Sequence, residues 1–405
     1  MREGDGHSVD SAPLPTVSVG LRRVLDLVVA GEATNRAEIA RRSGQARSTV
    51  GQQVDQLVGH DILQELEAGE SVRGRPPRQL ILSPRAGTVA VADVDTLQTR
   101  IAVADLGGHL VARDTVFTRL DAGPEAVLET VSDQLLALVT RAGHDPRRVR
   151  QVVMALPAPV DQRRGCPVRP NGMPGWDGFP VAERLRGRFR APARVDNDAN
   201  LMALGEARHA EADGPLLCIK IATGIGAGLV TGSGRIYRGA DGAAGDVGHI
   251  QSRGGNDVLC SCGNVGCVGA LASHRAVLRT LGVPESTEAD PLHGVHELAE
   301  RVANNDPPAV RALRQAAAEI GELAAMLVYV FNPRTLVLGG PLSELSDDLL
   351  SGVRAVVYRR ALPLATRKLT ITTAQLGADS ALHGAVALAA RDIFSERGIA
   401  RLLVD

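Results

Sequence analysis

The sequence predicts an α+β head of the winged helix-turn-helix type, followed by a two-lobed α/β body. Three observations lead there. Apolar residues recur at helical spacing up to about residue 60 and then give two short β-like runs. Beyond about residue 87 the pattern changes to strands and helices in turn, and there a three-strand meander followed by helix and strand units occurs twice. The expected divisions are a disordered tail over residues 1–18, the head over 19–85, a first lobe over 86–200 and a second lobe over 201–405.

Leu21, Val24, Leu25, Val28 and Val29 make one apolar face of the first helix. Asn35 is placed to cap the second, with Glu38 as its capping-box partner and Gly44 ending the helix. After a tight turn, Val50, Val54, Leu57 and Val58 mark the inner stripe of the third helix. Two β-like runs, Ile62 to Leu66 and Gln79 to Leu82, then flank a polar tip. In such a module the helix after the turn enters the DNA major groove.

The candidate DNA contacts are Arg36, Arg47, Ser48, Thr49, Gln52 and Gln53. Arginine and glutamine can bond guanine and adenine edges bidentately, and hydroxyls suit phosphates. A merely solvated face, or a protein-binding module, is the competing reading. Residues 1–85 hold eleven Arg and eleven Asp or Glu, so any attraction to DNA must come from clustering. Arg73 and Arg75 stand in "RGRPP", an extended strip that suits a narrow A·T-rich minor groove. A proline-stiffened turn is the plain alternative.

In the body, residues 88–94, 99–106 and 109–117 form the first meander, followed by a helix over 124–141 and a strand over 150–156. Residues 215–222, 226–232 and 234–240 form the second. Helices near 309–331 and 343–361 follow, separated by the strand "TLVLGG", and then "KLTITTAQL".

Composition narrows the classes. Hydrophobic residues are 44% and charged residues 22% of the chain, an ordinary globular balance. A formal charge of −1 predicts no global pull toward polyanions. Lysine occurs only at Lys220 and Lys368, which leaves anion recognition to arginine. No basic segment precedes an apolar core at the N-terminus, and no apolar run is long enough to span a bilayer. Five cysteines, an odd number, then suggest reduced thiols in a cytoplasmic protein without a membrane partner.

Three of those cysteines share one loop with a histidine. His249, Cys260, Cys262 and Cys267 offer one imidazole and three thiolates, a complete tetrahedral set for structural Zn²⁺. An iron–sulfur site, unliganded thiols, or a disulfide from Cys260 or Cys262 to Cys267 stay open on the residues alone.

Nearly the whole chain resembles the ROK family of repressors and sugar kinases, in its transcriptional-regulator branch. The motifs that carry the resemblance are "VDNDAN" (195–200), "ATGIGAGLVTGSGRIYRGADGAAGDVGHI" (222–250) and Cys-x-Cys-Gly-x-x-Gly-Cys (260–267). The resemblance implies an actin-like, ribonuclease-H-like body and a structural Zn²⁺ that fixes the histidine-bearing loop against a sugar. It implies that Asp198 matches the family's catalytic base and that Asn171 and Asn197 match sugar-hydroxyl ligands. It further implies that Asp246 stands where glutamate is common and that His249, on the zinc-fixed loop, touches the sugar. An Asn-Asp pair after a strand is also a common helix cap.

Two departures matter. The family's kinases carry Asp-x-Gly-Gly-Thr-Lys, and the matching stretch here is "DTLQTR" (95–100), with Leu97 and Gln98 in place of the glycines. A leucine side chain crowds space that phosphate would use, which argues against ATP phosphoryl transfer and makes Asp198 a vestigial base. Gly269 also replaces a glutamate that the family often uses to accept sugar hydroxyls. The expectation is a homodimeric or homotetrameric regulator, most often a repressor in this family, binding palindromic operator DNA and a sugar or sugar-phosphate effector. The alternatives are a sugar kinase fused to a DNA-binding module, with Asp198 as its base, and a ligand-independent DNA binder.

Overall fold

A computed structural model describes residues 14–66, 78–211, 213–252, 254–255, 257–287, 290 and 292–404. Contacts divide the chain into two units: residues 1–87 together with 390–405, and residues 88–389.

The first unit contains α1 (Val19–Val29), α2 (Arg36–Ser43) and α3 (Arg47–Gly59), then the antiparallel pair β1 (Leu63–Leu66) and β2 (Gln79–Leu82). Leu63 lies opposite Leu82, and Leu66 opposite Gln79. Its core is the expected stripe: Leu21, Val24, Leu25, Ile39, Val50, Val54 and Leu57 are all buried. Ser18 caps α1 through the Leu21 N–H, so the residues just before the helix are already ordered by it. Asn35 caps α2 by accepting the Glu38 N–H, and Gly44 ends it in the left-handed region. Glu38 reaches back to the Thr34 N–H at 2.8 Å, one residue earlier than the expected box. The remainder of the expected tail, residues 1–13, and the stretch with Arg73 and Arg75 lie outside the described residues.

The second unit is built on two sheets. The first consists of β3 (Thr88–Val94), β4 (Gln98–Asp105), β5 (Leu110–Phe117), β6 (Val149–Leu156) and β9 (Ala193–Asn197), in the order β5-β4-β3-β6-β9. Between the last two strands run the short pair β7 (Val160–Asp161) and β8 (Cys166–Pro167) and helix α5 (Val181–Phe189). With α4 (Pro124–Arg141), α5 closes one face over Trp176, Leu135 and Met154. β3 is buried along its whole length, as a strand covered on both faces must be.

The second sheet runs β11-β10-β12-β13, from β10 (Leu216–Ile221), β11 (Ile225–Val230), β12 (Thr335–Gly339) and β13 (Thr370–Thr373). In each sheet the opening strand pairs antiparallel with the next and parallel with a later one, so the duplication read from the sequence is topological. The third meander strand expected at 234–240 is reduced to one bridge between Val230 and Ile236. The chain leaves the ladder there, and Arg238 turns onto the buried carboxylate of Asp196 instead.

Helix α6 (Asp198–His209) packs on β10 and β11 at backbone distance; a Cβ on Gly228 would stand 2.1 Å from the Ala199 carbonyl oxygen. The expected lobe boundary at 200/201 therefore falls inside a helix. The other face carries α7 (Val268–Ala272), α8 (His274–Leu281), α10 (Pro307–Phe331) and α12 (Asp347–Arg360), around a core that includes Leu313, Ile320 and Val353. Helices α9 (His293–Ala303), α11 (Pro341–Glu344) and α13 (Pro363–Thr366) complete the connections. Helix α14 (Ser380–Ile393) runs across the unit boundary, and α15 (Glu396–Leu402) belongs to the first unit. Assigning all of 201–405 to the second lobe is thereby corrected: the last sixteen residues group with the head.

Candidate functional site

The carboxyl ends of β3, β9, β10 and β12 bring the polar residues of the body together, as is general for open α/β sheets. Asn197 ends β9 and caps α6 by accepting the Asn200 N–H at 3.2 Å, while its amide donates to the Ala158 carbonyl at 3.1 Å. These two bonds use one lone pair and one N–H of the amide expected to bond a sugar, so the capping role leaves one of each over. Asp198 is buried; one carboxylate oxygen accepts the Ala199 N–H and the other pairs with Lys220 Nζ at 2.6 Å.

Sequence reasoning missed Lys220, whose partner Asp198 comes from the start of α6, twenty-two residues away. It shares its surroundings with Asp93 and Asp95 at the β3–β4 hairpin. Burial works against its charge, yet Asp198, Asp93 and Asp95 hold it above the ordinary lysine range. Burial pushes Asp93 up to about 6 and also raises Asp198, in both cases against the Lys220 ammonium. The signal was present, since Lys220 interrupts an apolar strand in a chain with only two lysines.

A second group surrounds His249. Its Nε2 lies 3.2 Å from Asn171 Nδ2 and 3.9 Å from an Asp246 oxygen, with Asn171 and Asp246 both exposed. Its Nδ1 faces Cys260 Sγ at 3.5 Å. Cys262 and Cys267 Sγ are 3.7 Å apart, and all four ligand atoms lie within 4.8 Å of one another. A tetrahedron with metal–sulfur bonds of about 2.3 Å and metal–nitrogen bonds of about 2.0 Å has S···S edges of about 3.8 Å and S···N edges of about 3.5 Å. The two close pairs fit those edges, so the cluster can hold a metal ion. At 3.7 Å the sulfurs are not bonded, and all five cysteines are free thiols. Gly263 and Gly266, at φ +90° and +77°, let the backbone fold back between Cys262 and Cys267. The Asn264 N–H draws the Cys262 thiol down to about 7, and burial pushes Cys267 up to about 12.

On the head, Arg47, Ser48, Thr49 and Gln52 are exposed along the start of α3. Arg36 is tied inward: its guanidinium bonds Glu65 at 2.7 Å, Asp55 at 2.6 Å and the Gly51 carbonyl at 3.2 Å. Gln53 also turns inward, over Gly20, where an added Cβ would meet its Nε2 at 2.5 Å. These two are fold-building residues, which corrects their expected place among the DNA contacts. For Gln53 the spacing held the clue: it lies three residues after Val50 and four before Leu57, on the buried stripe.

Residues 92–392 match the ROK family. The chain is 27% identical over 390 residues to a putative xylose repressor of Caldicellulosiruptor sp. (strain Rt8B.4), covering 92% of this chain and 95% of the relative. A solved ROK family transcriptional regulator, a homolog of the E. coli MLC protein, superimposes with a TM-score of 0.76 at 22% identity, covering 96% of this chain and 99% of that one. A ROK family glucokinase from Streptomyces griseus, solved with glucose and AMPPNP, gives a TM-score of 0.63 at 28% identity, covering 75% of this chain and 100% of its own. The two-sheet body with its duplicated topology and the matched span of residues together establish that this chain belongs to the ROK family.

Proposed function

We propose that the chain is a sugar-responsive transcriptional repressor of carbohydrate genes. The observation that carries this reading is the extent of likeness: the regulator relatives align over the head as well as the body, whereas the glucokinase covers the body's share alone. The head then reads operator DNA with Arg47, Ser48, Thr49 and Gln52, the exposed start of α3. A sugar or sugar derivative is bound by Asn171, Asp246 and His249, with Asp198 as a further acceptor. It acts by binding the DNA-competent and DNA-incompetent states with different affinity. A dimer or tetramer on a pseudo-palindromic operator follows from the symmetry of paired heads.

The metal in this reading is Zn²⁺, held by His249 Nδ1 and the thiolates of Cys260, Cys262 and Cys267. Bound there, it supplies rigidity, since four protein ligands leave no open position for a reacting water. His249 keeps Nε2 for the ligand side, toward Asn171.

A second reading, an ATP-dependent sugar kinase fused to a DNA-binding module, is favoured by Asp198 standing at the start of α6 in a family that includes kinases. Two features support the first reading over it. Leu97 is half-buried at the hairpin tip, and Thr96 Oγ1 bonds Thr223 Oγ1 at 3.2 Å, joining the two stretches that would have to part around phosphates. Among the described residues no helix is long and apolar enough to cross a membrane.

Genomic footprinting with and without a panel of pentoses and hexoses tests the proposal. Protected promoters released by one sugar class are expected. Absence of any protected fragment, together with ATP turnover abolished by Asp198→Ala, would overturn it in favour of the kinase.

A further inference from the structure

Asp196 is fully buried at the end of β9, one residue before Asn197. One of its carboxylate oxygens accepts the Asn197 N–H at 2.8 Å and the Asn200 amide at 3.1 Å, which shapes the turn into α6. The other accepts the guanidinium of Arg238, which arrives from the stretch after β11. A buried carboxylate costs free energy unless it is paired, so Asp196 needs the cation that Arg238 supplies.

The main chain of Arg238 is engaged as well. Its carbonyl accepts the Ala244 N–H at 3.1 Å and closes residues 238–244 into one loop, with Gly239 and Gly242 at φ +72° and +89° reversing the chain. The Gly245 carbonyl accepts the Ala227 N–H at 2.8 Å, and a Cβ on Gly245 would collide with the Ala227 carbonyl, so the approach to Asp246 lies directly on β11. These main-chain contacts hold the loop to the second sheet. Arg238 ties it to the first sheet, where β9 belongs. The candidate sugar residues are divided in the same way: Asn171 lies between β8 and α5, and Asp246 and His249 follow β11.

We propose that Arg238 is a positioning residue. Through Asp196 it fixes the loop that leads to Asp246 and His249 against the strand end that presents Asn197 and Asp198. The two sides of the pocket are thereby held in register before a ligand arrives, which lowers the ordering cost of binding. The tie itself needs no ligand; its benefit to a sugar rests on the sugar-binding reading above. Arg238 Nε is buried without a hydrogen-bond partner, so the guanidinium does not meet Asp196 through its two-pronged fork. A single ammonium can therefore take over the contact.

The test compares the full-length wild type with Arg238→Ala, Arg238→Lys and Arg354→Ala. Arg354 bonds the Ile371 carbonyl at 3.0 Å on β13, at the opposite edge of the second sheet from β11, so its loss lowers stability away from the loop. Hydrogen exchange of the ligand-free chain is read by mass spectrometry over residues 238–249. Affinity is read by calorimetric titration with D-xylose and D-glucose, the sugars of the xylose repressor and glucokinase relatives. Arg238→Ala should speed exchange in the loop by about tenfold or more and weaken whichever sugar the wild type binds by a similar factor. Arg238→Lys should restore most of both, and Arg354→Ala should change neither although it melts lower. If Arg238→Ala does not fold, Arg238→Ala with Asp196→Asn, which leaves no charge buried, takes its place with the same expectations.

Unchanged exchange in Arg238→Ala overturns the proposal, as does equal loosening in Arg354→Ala, or an Arg238→Lys chain that behaves like Arg238→Ala. A loosened loop with undiminished sugar affinity overturns the positioning role and leaves the sugar-binding reading intact. If the wild type binds neither sugar, that reading fails for these two sugars, and exchange alone decides whether Arg238 holds the loop.

Discussion

Asn171 Nδ2 lies 3.2 Å from His249 Nε2, on the side of the ring opposite the nitrogen that faces Cys260. One imidazole thus connects the metal cluster to the candidate sugar residues. With a metal held by all four candidate ligands, its orientation would be set by the metal bond rather than by the single amide contact.

Cys262→Ser should therefore abolish two properties at once: the zinc found by metal analysis, and any thermal shift produced by the sugar identified in the panel. Asn171→Ala should weaken only the second and leave the zinc content at one ion per chain. A Cys262→Ser protein that still responds to sugar would show that the metal does not hold His249 for the ligand.

The two arginines of the head make a contrasting pair. Arg36 bridges α2, α3 and β1 through Asp55, Gly51 and Glu65, so Arg36→Ala should lower stability by about 1–2 kcal/mol, allowing for its partial exposure. Arg47 is exposed at the start of α3, and Arg47→Ala should leave the melting temperature unchanged while weakening operator binding. Denaturation beside a binding titration separates them; equal stability losses would remove the distinction.

What was legible in the sequence was local. Asn35 and Gly44 state the limits of α2 by their chemistry, and the four candidate metal ligands stand within nineteen residues, so spacing alone nearly assembles the cluster. Lys220 announced itself only as a break in an apolar strand, because its partners are carboxylates brought from elsewhere in the fold, Asp198 at the start of α6 among them. Residues 390–405 carry an apolar helical pattern that fits any core, and only packing shows that theirs belongs to the head. Arg36 looked like a surface cation because nothing near it in sequence announces Glu65 or Asp55.

Asp93 gives stability a pH dependence with a definite sign. Its folded value, about 6, lies above the ordinary carboxyl value of 3.8, so the folded chain holds this proton more tightly than the unfolded one. Its contribution is therefore most favourable below the unfolded value and is lost as pH rises from about 4 through about 6. The displacement corresponds to about 3 kcal/mol at most. Asp93→Asn should flatten the fall in unfolding free energy across that window, and an unchanged slope would assign it to other groups.

Position 269 offers a test of what the ligand can be. Gly269 is the second residue of α7, and a Cβ there would stand 3.2 Å from the carbonyl oxygen of Gly248, immediately before His249. A glutamate fits if that backbone yields a few tenths of an ångström, and its charge suits the first turn of a helix. Gly269→Glu would add an acceptor beside His249, worth about 1–3 kcal/mol to a sugar hydroxyl that otherwise lacks a partner. For a sugar phosphate the same carboxylate is a like charge, and binding should weaken. Calorimetric titration of the wild type and the variant with a sugar and its phosphate distinguishes the two effector classes: preference should move toward the neutral sugar in the variant. If neither affinity changes, residue 269 does not face the ligand, and the glycine has no part in selecting it.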